Sequence, residues 1–292
     1  MPEISLLNLV KEATKTAINY KTLSPIRTKR HSFYTKKGFE ETKSPYYSIY
    51  VSSEPEKISL YKKTTNEKPF LPPFEKGLLV MDSDQFANLC EEGKDYRLFL
   101  NKYKVLENHL LLTSKNFRAQ GDRLSSSDFR ATISLLLSVD SFAFYNAGYN
   151  SGRSVDHFHL QVMPYSSISG NFFSTVLSKK SKIREFDFAH YFYTFDTNAE
   201  NLESTLLACY NDAMESARRQ LKKDRFDYNL IFDRQRLLLV PRAKPCAEIQ
   251  IKQNLPGEKG KTRGSLASLQ INALGFCGSV YADTKEIADA ID

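Results

Sequence analysis

"HFHLQVMP", residues 157–164, is the stretch from which the fold reading follows. His157, His159 and Gln161 alternate with Phe158, Leu160 and Val162, and Pro164 closes the run. Successive residues of a β-strand face opposite sides of the sheet. The spacing therefore predicts a strand with the two histidines and the glutamine in a row on one face. Two readings fit that row. The ordinary one is an edge strand with a wet polar face. The sharper one is a chemical row, a nucleophile flanked by groups that orient it and bind its target.

The 292 residues suffice for one large domain or two modest ones, and 41% hydrophobic with 26% charged content is ordinary for a soluble globular chain. No apolar run reaches the length of a membrane span; Leu135–Leu137 is soon broken by Ser138 and Asp140. The opening MPEISLLNLVKE lacks the basic-then-apolar pattern of a secretory leader. Cys90, Cys209, Cys246 and Cys277 are scattered without CxxC spacing, which fits a reducing, cytoplasmic setting and offers no structural zinc site. A formal charge of +7 and a pI near 9.0 suit a polyanionic partner, either nucleic acid or a polyphosphate metabolite. A single-strand nucleic-acid surface needs aromatics interleaved with basic residues on an exposed face. Phe142, Phe144, Phe188 and Phe192 lie inside strand patterns and read as core, so that class is disfavoured.

Outward from the histidine row, the chain reads as alternating strands and helices. Leu6, Val10, Ala13 and Ala17 predict an amphipathic helix over residues 3–20. Residues 46–62 suggest strand, and the prolines of KPFLPPF (68–74) make an ordered loop. GLLVMDS, YRLFLNKY and HLLLTSK read as strands. One of Ser125, Ser126 and Ser127 caps a helix whose inward face carries Phe129, Ile133, Leu136 and Leu137. FAFYNAG is a strand leading into a Gly/Ser/Asn turn. In the second half REFDFAHYFYTF reads as strand, and Thr197 with Glu200 as a capping box. The helix that follows carries Leu202, Leu206, Cys209 or Tyr210, Ala213 and Ala217 inward. DYNLIF, RLLLVPR and LQINALGFCGSVY complete the strands, with a Gly- and Lys-rich loop at 253–264. DYRLFLNK…HLLLTSK parallels DYNLIFDRQRLLLVPR, which suggests a duplication whose second copy lost its histidines.

The turn before the row, YNAGYNSGRSVD (145–156), supplies what a phosphate cradle needs. Its glycines let backbone N–H groups approach an anion, its hydroxyls donate, and Arg153 can pair with phosphate. By itself it is an ordinary polar hairpin loop. Placed directly before a histidine row, it reads as a cradle before a nucleophile. It lacks the GxxxxGK[ST] spacing of a P-loop.

NAGYNSGRSVDHFHLQVMP resembles the catalytic segment of the diadenosine polyphosphate phosphorylases (ATP adenylyltransferases), in the galactose-1-phosphate uridylyltransferase branch of the histidine-triad superfamily. LSPIRT, KPFLPPF, LNKYKVLENHLLLTSKNFRAQ, YNLIF…RLLLVPR and INALGFCGS also look like that family's segments, in the same order, from about residue 20 to 285. The resemblance implies an α+β fold: an antiparallel sheet with flanking helices in a single domain, 1–292. Its catalytic half would be 20–170 and a degenerate second unit 180–290, so that one chain could act alone.

It further implies that His159 is the nucleophile, that the backbone carbonyl of His157 holds the other ring nitrogen, and that Gln161 binds a non-bridging phosphoryl oxygen. Asn146, Ser151, Gly152 and Ser154 would bind phosphate, with Arg153 added on chemical grounds; Asn101 and Asn272 would lie beside the nucleotide. GKDY (93–96) departs from the family's small hydroxyl residues, whereas His109 matches a strand histidine of the superfamily. His31 and His190 match nothing. The implied reaction converts diadenosine tetraphosphate and phosphate to ADP and ATP, with Mg²⁺ entering on the polyphosphate and no tightly bound cofactor or protein metal cage. Alternatives are the same chemistry on adenylyl sulfate or a nucleotide sugar, or a nucleotide sensor without catalysis.

Overall fold

The computed structural model describes residues 5–21, 78–102, 106–168, 186–254 and 262–291, with the backbone alone at 253, 254 and 262, together with the backbone of four short strands between 28 and 52. Helix α1 (Leu6–Asn19) is followed by β1 (Thr28–Arg30), β2 (Tyr34–Thr35), β3 (Gly38–Phe39) and β4 (Ser48–Ser52). Next come β5 (Leu79–Met81), α2 (Ser83–Phe86), a 3-10 turn Glu91–Asp95, β6 (Tyr96–Leu100) and β7 (Leu110–Ser114). Helix α3 (Ser126–Ser138) leads to β8 (Ser141–Ala147) and β9 (His159–Pro164). The second half holds β10 (Tyr191–Thr194), α4 (Leu202–Leu221), β11 (Asp227–Phe232) and β12 (Arg236–Arg242). It ends with β13 (Cys246–Asn254), β14 (Thr262–Gln270), α5 (Ala273–Phe276), β15 (Ser279–Ala282) and α6 (Lys285–Asp289).

Eight strands form one antiparallel sheet in the order β10-β12-β11-β8-β9-β7-β6-β5. The join between the halves is the β8–β11 pair, with Asn146 opposite Asn229. The order is mirrored about that join: strand, helix, then two antiparallel strands occurs as β7-α3-β8-β9 and again as β10-α4-β11-β12. Topology thus matches β11–β12 with β8–β9, whereas the sequence comparison set them beside β6–β7. The helix that precedes each pair decides the match. Leucine-rich strands are too alike in composition to be paired by sequence.

All seven residues of β8 are buried, because this sheet is covered on both faces. Ala143, Tyr145 and Ala147 pack with Leu160, Val162 and the helix residues Phe129, Leu136, Leu206 and Tyr210. Phe142 and Phe144 pack on the other side with Met163, Ile231, Leu238 and Val240, under Ala273, Leu274 and Cys277. His159 and Gln161 belong to this second face, alternating with Leu160 and Val162. β9 is central, between β8 and β7, and all six of its residues are buried. The edge-strand reading is therefore overturned.

Several elements stand as expected. Leu6, Val10, Ala13 and Ala17 are the buried face of α1. Ser125 is the N-cap of α3, in a capping box with Asp128. Tyr210, not Cys209, is the buried member of its helix. Other details differ. Leu137 is 50% exposed rather than inward. Helix α4 is capped at Asn201 with no side-chain bond, so Thr197 and Glu200 lie before it and form no capping box. INALGF is not strand: Asn272 caps the short α5 with its side chain. The aromatic strand is only Tyr191–Thr194. Of the strand expected at 46–62, β4 covers 48–52; the rest, with KPFLPPF and most of the loop at 253–264, lies outside the described residues. The four cysteines are free thiols. Among the described residues no helix is long and apolar enough to cross a membrane.

Candidate active site

His159 sits where β8 and β9 part. Their paired residues run from Ser141–Pro164 to Phe144–Gln161 and stop there. The fully buried side chain of Gln120 enters the fork beyond. Its Oε1 accepts the His159 N–H at 2.6 Å, and its Nε2 donates to the carbonyls of His159 (3.0 Å) and Asn146 (3.2 Å). One amide thus replaces a rung of the sheet and fixes the backbone of both residues. The main chain of Arg118–Gln120 runs beside residues 156–158 and holds Gln120 there.

The His159 ring is oriented by its own chain. Nδ1 lies 2.8 Å from the His157 carbonyl, which can only accept, so Nδ1 carries the proton and Nε2 keeps its lone pair. Burial lowers the His159 pKa from 6.5 to about 4, and the neighbouring His157 and Arg153 charges add to this against the His157 carbonyl bond. The ring is neutral across physiological pH. His157 contributes its carbonyl, not its imidazole. It precedes β9, in an isolated bridge with Ala119, and its Nε2 is anchored on the Ser114 carbonyl at 2.8 Å. The expected row of three is therefore His159 and Gln161 on the strand, with His157 turned to the end of β7.

Gln161 is oriented by His109. The His109 Nδ1 faces the Asn101 amide at 3.2 Å, and its Nε2–H donates to Gln161 Oε1 at 2.8 Å. Burial lowers the His109 pKa to about 4, so the ring stays neutral and keeps these roles. With its oxygen taken, Gln161 has its amide N–H groups left to donate. Asn146 is placed in the same way. Its Oδ1 accepts from Asn229 Nδ2 (2.7 Å) and from the Ala273 N–H (3.0 Å), leaving its Nδ2 to donate. Among the described residues His159 Nε2, Gln161 Nε2 and Asn146 Nδ2 have no hydrogen-bond partner, yet they are absent from the closed-off unpaired polar atoms. On one face of adjacent strands they present one nucleophilic lone pair and two amide donors. That set can attack a phosphorus and hold its non-bridging oxygens.

The turn after β8 depends on two glycines in the left-handed region, Gly148 (φ 81°) and Gly152 (φ 76°). A side chain at Gly148 would collide with Asp227, whose Oδ2 accepts the Asn150 N–H at 2.7 Å. Gly152 lies against the Ile271 carbonyl and Asn272. The buried Ser151 hydroxyl donates within the turn to the Gly148 carbonyl at 2.6 Å, so it shapes the cradle. Arg153 pairs with Asp156 while its charge reaches His159. Ser154 is exposed beside it. Asn272 caps α5 over Gly152, and Asn101 acts through His109.

Four residues escaped the sequence reading: Gln120, Asp227, Asn229 and Arg242. Asn229 Nδ2 also donates to the Ser151 carbonyl at 2.8 Å, and its Oδ1 accepts from Arg242 at 2.6 Å. The second half thereby holds the cradle of the first. Only Asn229 had a signal, since its DYN echoes FYN at 144–146.

The model of the Ap4A phosphorylase N-terminal domain matches residues 1–173, and that of the ATP adenylyltransferase C-terminal domain matches 184–292. This chain belongs to the Ap4A phosphorylase family. Among its relatives, Protein APA1 of Saccharomyces cerevisiae is 25% identical over 315 residues, covering 98% of this chain and 89% of that protein. The yeast diadenosine 5',5'''-P1,P4-tetraphosphate phosphorylase 2 is 26% identical over 281 residues, covering 84% and 78%. The crystal structure of yeast Ap4A phosphorylase Apa2 in complex with AMP superposes with a TM-score of 0.71 at 22% identity, covering 99% of this chain and 91% of that one. Apa2 in complex with Ap4A gives 0.69 at 21%, covering 99% and 93%. The fold is that of the family, with its large antiparallel sheet and few helices.

Burial of His109 and His159 as neutral rings has a pH signature. Each pKa lies near 4 in the folded protein and near 6.5 unfolded. The stability each contributes is fully present above pH 6.5 and is lost as pH falls toward 4, because only the unfolded chain takes up the proton. The loss is on the order of 3 kcal/mol per histidine. Urea unfolding at pH 7.5 and 4.5 should show it, and a flat profile would contradict the burial.

Proposed function

We propose that this protein is an Ap4A phosphorylase, a nucleotidyltransferase that converts diadenosine tetraphosphate and phosphate to ADP and ATP. The observation that carries the reading is the unprotonated His159 Nε2 set beside the two donating amides of Gln161 and Asn146. The names of the family's yeast members support it.

In the first step the Nε2 lone pair forms a bond to the α-phosphorus. The bridging P–O bond breaks, and ATP leaves with the electron pair. The Gln161 and Asn146 amides meet the non-bridging oxygens as their charge grows. The adenylated ring carries phosphorus on Nε2 and a proton on Nδ1 and is cationic, so its bond to the His157 carbonyl strengthens. In the second step a phosphate oxygen attacks the same phosphorus. The N–P bond breaks, its pair returns to Nε2, and ADP leaves. Splitting one transfer in two keeps each barrier low. Gln161 has no titratable proton to give or take, which suits an acceptor that arrives already anionic.

A divalent cation, Mg²⁺ in this reading, belongs to the polyphosphate it accompanies. Among the described residues no three His, Cys, Asp or Glu side chains gather to hold a metal. Both halves of the one chain build the site, so a second subunit is not required for it.

The direct test resolves the nucleotides after incubation with Ap4A and Mg²⁺, with and without phosphate, alongside adenylyl sulfate and a nucleotide sugar. Phosphate-dependent ADP and ATP from Ap4A are expected. Turnover of only another nucleotide would replace the substrate, and binding without turnover would leave a sensor.

A further inference from the structure

A cation without a counter-charge lies at the end of the site face. Arg242 closes β12 on the side of Leu238 and Val240, and no described carboxylate pairs with it. Among the described residues its guanidinium donates only to neutral oxygens: Asn229 Oδ1 (2.6 Å), the Ile271 carbonyl (2.7 Å) and the Lys244 carbonyl (2.8 Å). A half-buried charge held by dipoles alone is matched to an anion that comes and goes. Asn229 stands two strands from His159, and that spacing puts the guanidinium about 10 Å along the sheet from the nucleophile.

Aromatic rings continue the line. Arg242 Cζ is 5.2 Å from the Phe276 centroid, and Phe276 meets Phe188 edge-on at 5.4 Å. Phe188 is 38% exposed, a large apolar ring facing water. Behind it His190 donates Nδ1–H to the Phe188 carbonyl at 2.9 Å. Among the described residues its Nε2 is left as a buried acceptor without a partner. Phe186, stacked on Phe188 at 4.6 Å, and Phe188 itself both pack edge-on against the His190 ring.

We propose that Arg242, Phe276, Phe188 and His190 form the subsite for the distal half of the dinucleotide, a purine nucleoside and its nearest phosphates. Arg242 takes the far phosphates. The distal base stacks on Phe188 against the Phe276 wall, and the ring turns with it so that an amine or hydroxyl of that nucleoside reaches and donates to His190 Nε2. The subsite rests on the phosphorylase reading above, in which one AMP unit is transferred and the rest of the substrate is held until it leaves.

The experiment compares Ap4A with adenosine 5'-tetraphosphate, which lacks the distal nucleoside, in the intact protein with Mg²⁺ and phosphate. The wild type is expected to show a KM about tenfold lower for Ap4A, the contribution of one stacked base. Phe188→Ala and His190→Leu should each raise the Ap4A KM toward that of adenosine 5'-tetraphosphate. Phosphate exchange into ADP, which uses only the proximal half, reads the chemistry separately. Equal KM values in the wild type, or an advantage kept by both variants, would overturn the subsite while exchange continued. A parallel loss of exchange in both variants would assign these residues to the fold and overturn it too. Absence of exchange in the wild type would overturn the phosphorylase reading and the subsite with it.

Discussion

His159→Ala is expected to lower Ap4A phosphorolysis by at least about 10⁴-fold and to abolish the acid-labile adenylyl adduct. No neighbour can take over. The His157 imidazole is anchored on Ser114 and that of His109 lies between Asn101 and Gln161. His157→Ala is the instructive contrast. It removes a ring but leaves the backbone carbonyl that orients His159. Its loss should be smaller, about 10- to 100-fold, on the scale of a positioning defect. Rapid-quench single turnovers followed by intact-mass measurement separate the two: His159→Ala should form no adduct, and His157→Ala should form it slowly. Turnover within tenfold of wild type in His159→Ala would sink covalent catalysis at this residue. The pH dependence of adduct formation adds a second constraint. With its pKa lowered to about 4 by burial, His159 should keep full nucleophilicity down to about pH 5 and lose it only near 4.

What was legible in the sequence depends on how local each interaction is. The inward face of α1, the Ser125 cap and the strand of His159 rest on neighbours a few residues apart, and the structure has them. The place of β9 in the sheet was not legible. Alternation identifies two faces but not what covers them, and here Ala273, Leu274 and Cys277, more than 100 residues away in sequence, cover the polar one. The same distance hid Asp227, which fills the space that Gly148 leaves open. Arg242 reads as a strand-ending cation, because its role lies in the Asn229 amide it holds. Ser151 was legible as part of the turn. That its hydroxyl is turned inward is a matter of backbone geometry that residue type does not specify.

Gln120 should be among the most sensitive buried polar positions of the described residues, and its substitutions should separate by pH. Gln120→Leu keeps much of the volume but leaves the His159 N–H, the His159 carbonyl and the Asn146 carbonyl without this amide, at a residue with no exposure. Each of the three groups stranded in this way costs about 1–3 kcal/mol, so a loss of about 3–9 kcal/mol is expected at any pH, a large part of the total stability of a domain. Gln120→Glu has nearly the same shape and one different atom. One carboxyl oxygen still accepts from the His159 N–H. The other faces two carbonyl oxygens where Nε2 donated, and only a protonated carboxyl can donate there. Its folded pKa is therefore raised above the free value of about 4.3. A raised folded pKa contributes stability that is fully present below the unfolded pKa and is lost as pH rises through the folded one. Gln120→Glu should thus approach wild-type stability near pH 4.5 and fall well below it at pH 7.5. The wild type itself moves the other way, since its neutral histidines cost stability in acid. Urea unfolding of the three proteins at those two pH values reads the crossing directly. A Gln120→Glu deficit that stays constant with pH would mean that the amide is not the donor to the two carbonyls. In that case the geometry that fixes the His159 backbone would have to come from elsewhere.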